Sequence, residues 1–149
     1  MRLIVLEVQL NKNKRVLVTG NLGFIGSWTT ISLLRKGYEV IGVDNLSSFG
    51  SRMAIDIGLD QQVLKQYNCD INDLDTINSL ITEYKPIGII NLAGQAIVPR
   101  AFKEPLMTFK TNTVGTLSML EAARQTEIPK SVICVTRQGL SELKSNLAI

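Results

Sequence analysis

Glycines 20, 23 and 26 stand three residues apart in VLVTGNLGFIGSW, residues 16–28, where an apolar, β-branched run gives way to helical spacing. That pattern suits the gripping of a phosphate. One glycine lets the chain turn sharply, one lets backbone approach a pyrophosphate, and one lets the helix pack close to the strand. The start of the helix then offers free N–H groups and the positive end of its dipole. A strand before and a helix after, within a βαβ unit, separate this loop from glycines that serve a plain turn. Asp44 follows at the end of the next apolar run. An acid about 20 residues past such a loop accepts hydrogen bonds from an adenosine ribose; the competing role is a turn or helix cap. Asn45, Leu46, Ser47 and Ser48 include no Arg or Lys to hold a 2′-phosphate. A carboxylate there would repel one, so NAD is preferred over NADP.

Other chemistries are excluded by what is missing. The sequence contains no histidine, which removes Ser-His-Asp triads, His-ligated zinc and His acid/base work. The two cysteines, Cys69 and Cys134, have no metal-ligand spacing, so no metal site is expected. They read as buried thiols in a reducing compartment, which implies a cytoplasmic protein. A net charge of +3 is mild and scattered, and no basic stretch carries interleaved aromatics, so no nucleic-acid partner is expected. No apolar run is long enough to cross a bilayer, so no membrane partner is expected either. The opening MRLIVLEVQL is broken by Glu7 and Gln9 and has no small-residue cleavage site. It reads as a leader (1–14) or a short extra strand, not a signal peptide.

The elements that must position these residues alternate along the chain. Strands are expected at 15–19, 39–43, 63–67, 87–92 and 131–136. Helices are expected at 24–36, with Ile25, Thr29 and Leu33 on one face, at 51–58, at 73–84 with Asn72 as the cap, and as one long element at 104–125. Near-continuous apolar strands alternating with helices give an α/β fold, a Rossmann-type doubly wound parallel sheet of about five strands. Its ligand crevice lies at the carboxyl ends of the strands, where strand order reverses.

The spacing T-G-x-x-G-x-x-G resembles the extended short-chain dehydrogenase/reductase family. GVDNLSS (42–48) is similar to the second-strand end of its nucleotide-sugar epimerases, and NCDIND (68–73) to its third-strand acid near adenine. NLAGQAIVPRAFKEPLMTFKTNTVGTLSMLEAAR (91–124) resembles the nucleotide-sugar 4,6-dehydratases of the CDP-glucose or GDP-mannose type. The resemblance runs over 15–136. It implies that Gly20, Gly23, Phe24, Ile25 and Gly26 hold the pyrophosphate of NAD, that Asp44 and Asn45 meet the ribose, and that Asp70 and Ile71 flank the adenine. It further implies that Leu92, Ala93, Gly94 and Gln95 line the cofactor and that Asn112 stands near cofactor or substrate. Arg100 is a candidate for the nucleotide sugar, with a solvated arginine as the alternative.

The pattern then breaks. The family's acid/base pair is Tyr-x-x-x-Lys, one turn of one helix face, with the lysine lowering the tyrosine pKa. Tyr38, Tyr67 and Tyr84 are followed four residues later by Gly42, Ile71 and Gly88. After Thr136, a candidate relic of a strand-end catalytic hydroxyl or a plain structural threonine, Arg137 and Gln138 stand where a hydroxyl and an acid are expected. Residues 137–149 form a divergent tail. The expectation is therefore an NAD-binding domain truncated before a sixth strand and the substrate half, inactive alone. The alternatives are a non-catalytic dinucleotide-binding module and an inert remnant of a broken reading frame. A nucleotide sugar would be a partner of the complete protein only, and the apolar edge of the fifth strand predicts homo-oligomers.

Overall fold

The computed structural model describes residues 14–126 and 132–134. The leader up to 13, Thr136 and the tail lie outside the described residues. The elements are β1 (Arg15–Thr19), α1 (Phe24–Arg35), β2 (Glu39–Asp44), α2 (Phe49–Asp56), a 3-10 turn (Leu59–Gln61), β3 (Lys65–Asn68), α3 (Leu74–Tyr84), β4 (Gly88–Asn91), α4 (Val98–Lys103), α5 (Pro105–Phe109), a π turn (Lys110–Val114), α6 (Gly115–Gln125) and β5 (Val132–Cys134).

Among the described residues, all the strand pairs are parallel, and five strands run in the order β3-β2-β1-β4-β5. Strand order reverses between β1 and β4, so the crevice opens beyond Thr19 and Asn91. β1 and β2 form the centre because their apolar runs are buried on both faces: Leu17, Val18, Val40, Ile41 and Val43 are fully buried. One side of the sheet packs Leu17, Ile41, Val43 and Ile89 against Ile77, Leu80 and Ile81 of α3 and Met119 and Ala122 of α6. On the other side, Val16, Val18 and Val40 meet Leu33 and Leu34 of α1.

Several local expectations change, and the helix expected at 51–58 lies at Phe49–Asp56, capped by Ser48. The cap of α3 is Asp73, whose carboxylate accepts from the backbone N–H of Thr76 at 3.1 Å, because Asn72 is drawn back onto Asp70 (2.8 and 2.7 Å). The third strand starts at Lys65 rather than 63; Val63 is buried just ahead of it. Of the expected face Ile25–Thr29–Leu33, only Leu33 packs against the sheet. Gly26 and Thr30 are the buried positions of α1, while Ile25 and Trp28 are exposed.

The long helix starts at Pro105 instead of 104 and is not uniform. Glu104, ahead of Pro105, sits outside the helical region at φ −130° and ψ 59°, as expected of a residue before proline. A separate short helix, α4, precedes it. The run is also interrupted by the π turn, in which the N–H of Gly115 bonds the carbonyl of Lys110. Gly115 lets the helix close on Ile71, whose side chain would have to shift to admit a Cβ there.

Candidate functional site

The loop joining β1 to α1 is built from the inside out. Gly20 adopts φ +64°, and a Cβ on it would lie 2.7–2.8 Å from the backbone of Leu92 and Ala93. The first glycine thus serves both a left-handed turn and the contact between the loops that leave β1 and β4. Its N–H bonds the carbonyl of Val43 at 2.7 Å, and its carbonyl accepts from Gly23 at 3.0 Å. A Cβ at Gly26 would run into that same carbonyl, so the third glycine lets α1 sit down on the turn. Gly23 is the N-cap of α1, with φ −66°, no side-chain cap and no acid in the first turn. The first N–H groups of α1 are therefore left for an anion. Phe24 and Ile25 project outward, Phe24 81% exposed.

The two residues between Gly20 and Gly23 point inward, which the sequence reading missed. Asn21 and Leu22 are both fully buried. Leu22 packs on Ala54 and Leu59. Asn21 forms a reciprocal amide pair with Gln66 of β3: its Nδ2 donates to Oε1 at 2.8 Å, and Gln66 Nε2 donates to its Oδ1 at 3.2 Å.

Asp44 lies at the end of β2 as expected, but the residue is 7% exposed and its carboxylate already engaged. Oδ2 accepts from the N–H of Leu22 at 3.2 Å; Oδ1 accepts from the N–H of Leu46 at 2.8 Å and the hydroxyl of Ser51 at 3.0 Å. A carboxylate offers about four acceptor positions, and these donors occupy three of them. Asn45 is exposed, with Oδ1 accepting from the N–H of Ser47 at 3.1 Å.

At the far end of the crevice, a chain of polar groups ties the two loops together. Thr19 Oγ1 donates to Asn91 Oδ1 in a short bond and accepts from the N–H of Ala93 at 3.4 Å. Asn91 Nδ2 reaches Thr116 Oγ1 at 3.4 Å, and Thr116 in turn donates to the carbonyl of Asn112 at 2.8 Å. Asn112 then clamps the loop after β4: its Oδ1 accepts from Gln95 N–H at 2.7 Å and its Nδ2 donates to Gln95 carbonyl at 2.9 Å. Gln95 folds back onto Ile97, accepting from its N–H at 2.6 Å. Asn112 and Gln95 therefore shape the loop holding Leu92, Ala93 and Gly94. Asn112 reaches it from within the π turn.

The remaining residues are separated from this core of the site. Asp70 is exposed, with Oδ1 engaged by Asn72, while Ile71 is buried in the cluster beneath α3 and α6. Arg100 pairs with Glu104 at 3.0 Å one turn along. Among the described residues, no group of three potential ligands gathers for a metal, and no helix is long and apolar enough to cross a membrane.

Residues 17–136 match the family model described as GDP-mannose 4,6 dehydratase. The chain belongs to this family. Its curated relatives include the UDP-glucose 4-epimerase of Lacticaseibacillus casei, 36% identical over 129 residues, which cover 87% of the chain and 37% of the relative. The CDP-glucose 4,6-dehydratase of Salmonella typhimurium is 31% identical over 84% of the chain and 34% of its own length. Among solved structures, the Thermus thermophilus UDP-glucose 4-epimerase in complex with NAD superposes with a TM-score of 0.66 at 36% identity, over 76% of the chain and 35% of that structure. The chain thus spans about a third of the length of these relatives. In this member of the dehydratase family, two of the tyrosines meet edge to face. Tyr67 and Tyr84 share a hydroxyl–hydroxyl hydrogen bond of 2.9 Å. That bond, with desolvation and Glu83, holds the Tyr84 hydroxyl well above its ordinary pKa, opposite to what proton abstraction at neutral pH needs. Tyr38 packs with Val16 and Val40.

Proposed function

We propose that the chain holds NAD in the crevice between the ends of β1 and β4, as the dinucleotide-binding part of a nucleotide-sugar 4,6-dehydratase or 4-epimerase, and that these 149 residues alone do not turn over. The carrying observation is the uncapped, acid-free N-terminus of α1 set over a loop whose glycines leave no room for a Cβ at 20 and 26. The backbone N–H groups of Phe24 and Ile25 would receive the pyrophosphate, with Gly23, whose own N–H is bonded to the Gly20 carbonyl, leaving it room to approach. Asp44 Oδ2 would receive the ribose, and the absence of Arg or Lys at 45–48 favours NAD over NADP. The loop 92–95, clamped by Asn112, would form the wall toward the nicotinamide. When bound, NAD supplies a hydride acceptor for the sugar's C4 and later returns the hydride. The chain's own contribution is to orient the cofactor and keep its loops rigid. A nucleotide sugar is a partner of a protein that also supplies an acid/base pair.

Calorimetric titration of the full chain with NAD and NADP tests this reading. Saturable NAD binding, weaker NADP binding and loss of both in Gly23→Asp are expected, with no conversion of UDP-glucose or CDP-glucose. Gly23→Asp keeps an allowed φ, and its Cβ meets only the Gly20 carbonyl, at 3.1 Å, so the variant folds while placing a carboxylate where the phosphate sits. Absence of NAD binding to the wild-type chain overturns the reading. Self-association through the outer edge of β5, which has no second neighbour among the described residues, is proposed with it. A monomer throughout a light-scattering concentration series would count against that.

A further inference from the structure

We propose that Asn21 and Gln66 are a matched positioning pair that sets the phosphate loop before any ligand arrives. The inference rests on the NAD-binding reading and adds to it residues from outside the glycine motif. Asn21 is the polar residue of the turn between Gly20 and Gly23, and it is fully buried. A buried amide without partners is costly. Here each amide gives one hydrogen bond to the other and takes one from it, at 2.8 and 3.2 Å, from two strands away, and Gln66 Nε2 also reaches the Tyr67 carbonyl at 3.4 Å.

Between them lies β2, and Gly42 is the residue that lets them meet. A Cβ at Gly42 would collide with Asn21 Nδ2 and Gln66 Oε1. Gly42 pairs directly with Gln66 in the β2–β3 register. The carbonyl of Asn21 also accepts the Thr30 hydroxyl of α1 at 3.3 Å.

The turn is flanked by glycines and has little stiffness of its own. With its side chain anchored inward, the backbone of residues 20–23 is held in one conformation. If Gln66 is truncated, the buried Asn21 amide loses both bonds and turns toward water, taking the loop backbone with it. The pair also ties the loop to β3, the strand that runs on to Asp70 and Ile71. The pyrophosphate and adenine ends of the crevice are thereby joined through side chains.

The test uses the full chain, with Gln66→Ala and the double variant Asn21→Ala/Gln66→Leu. Three readouts are taken well below the unfolding midpoint: amide hydrogen exchange at residues 21–23 without ligand, affinity for ADP-ribose and NAD, and affinity for adenosine, which lacks the pyrophosphate. Gln66→Ala is expected to speed loop exchange and to weaken ADP-ribose and NAD about tenfold, the effect of leaving one buried amide unpaired, with adenosine unchanged. The double variant removes both polar partners and is expected to recover its thermal midpoint while its NAD affinity stays low. Wild-type affinity in the double variant would reduce the pair to ordinary structural support and overturn the proposal. Unchanged loop exchange in Gln66→Ala would overturn it as well. If the wild-type chain binds no NAD, the cofactor reading fails and the exchange readout alone decides the pair.

Discussion

The three motif glycines are expected to fail differently when each gains a methyl group, and Gly58 supplies the control. Gly58 has φ +70° and nothing within 4 Å of an added Cβ. Gly58→Ala therefore isolates backbone strain, about 1–2 kcal/mol for a non-glycine residue in the left-handed region. Gly20→Ala carries the same strain at φ +64° and adds a Cβ at 2.7 Å from Ala93 N and 2.8 Å from Leu92 O. Those are backbone atoms of a clamped loop, so relief requires the β1 and β4 loops to part. An overpacking cost of about 1–3 kcal/mol brings the total to roughly 2–5 kcal/mol, or a fall of roughly 6–15 °C in midpoint for a chain of this size.

Gly26→Ala has no φ strain and a small gain in helix propensity, yet its Cβ would strike the Gly20 carbonyl and lie 2.9 Å from Asn21 Cα. Lifting α1 off the turn is expected to cost at least about 3 kcal/mol. Gly23→Ala, at φ −66° with one contact of 3.1 Å, is expected to cost less than about 1 kcal/mol. Thermal and urea unfolding of the four variants without cofactor reads these values directly. A Gly20→Ala variant no less stable than Gly58→Ala would refute the claim that the first glycine is set by the approach of the β4 loop.

Asn112→Asp keeps the acceptor for Gln95 N–H but loses the donor to its carbonyl; a loss of about 1–3 kcal/mol and faster amide exchange confined to residues 93–97 are expected. Asp44→Asn turns an acceptor of three donors into a group that must donate, and should lower stability by about 1–3 kcal/mol and weaken NAD in calorimetry. The Glu121 carboxyl is drawn down to about 2 by hydrogen bonds from Arg124 and Gln125. Its stabilisation is present above the ordinary carboxylate range and lost as pH falls through that value, so the stability gap between wild type and Glu121→Gln should close between about pH 5 and 2. Tyr84, raised by its hydrogen bond with Tyr67, favours the fold while protonated. Alkaline titration should show wild type losing its advantage over Tyr84→Phe as pH climbs past the normal tyrosine range.

The sheet was legible because its apolar β-branched runs are long enough to be buried on both faces and its glycine loop joins a strand to a helix. Periodicity served less well at α1. The buried positions there are Gly26 and Thr30, small residues that a hydrophobic pattern does not count, while Ile25 and Trp28 face outward. The same blindness hid Asn21, Gln66 and Gly42, whose pairing joins residues distant in sequence. Asp44 was found by position, but its bonds to Leu22, Leu46 and Ser51 are visible only in three dimensions. The break before Pro105 carried a signal in its proline. The π turn carried none, since it answers to Asn112 reaching Gln95 and to Gly115 pressing on Ile71.

A π turn spends one residue more than a regular helical path needs, and that surplus separates two demands on the same helix. The sheet-facing side of α6, with Gly115, Met119 and Ala122, keeps its phase on Ile71 and Ile89. Asn112 lies within the bulge and holds Gln95 from there. Deleting a single residue within 110–114 should leave a continuous α-helix seated on the same core while the loop at 92–95 loses its clamp. In this segment, the length of the chain is itself a functional variable: a homologue one residue shorter there would share the fold and not the site.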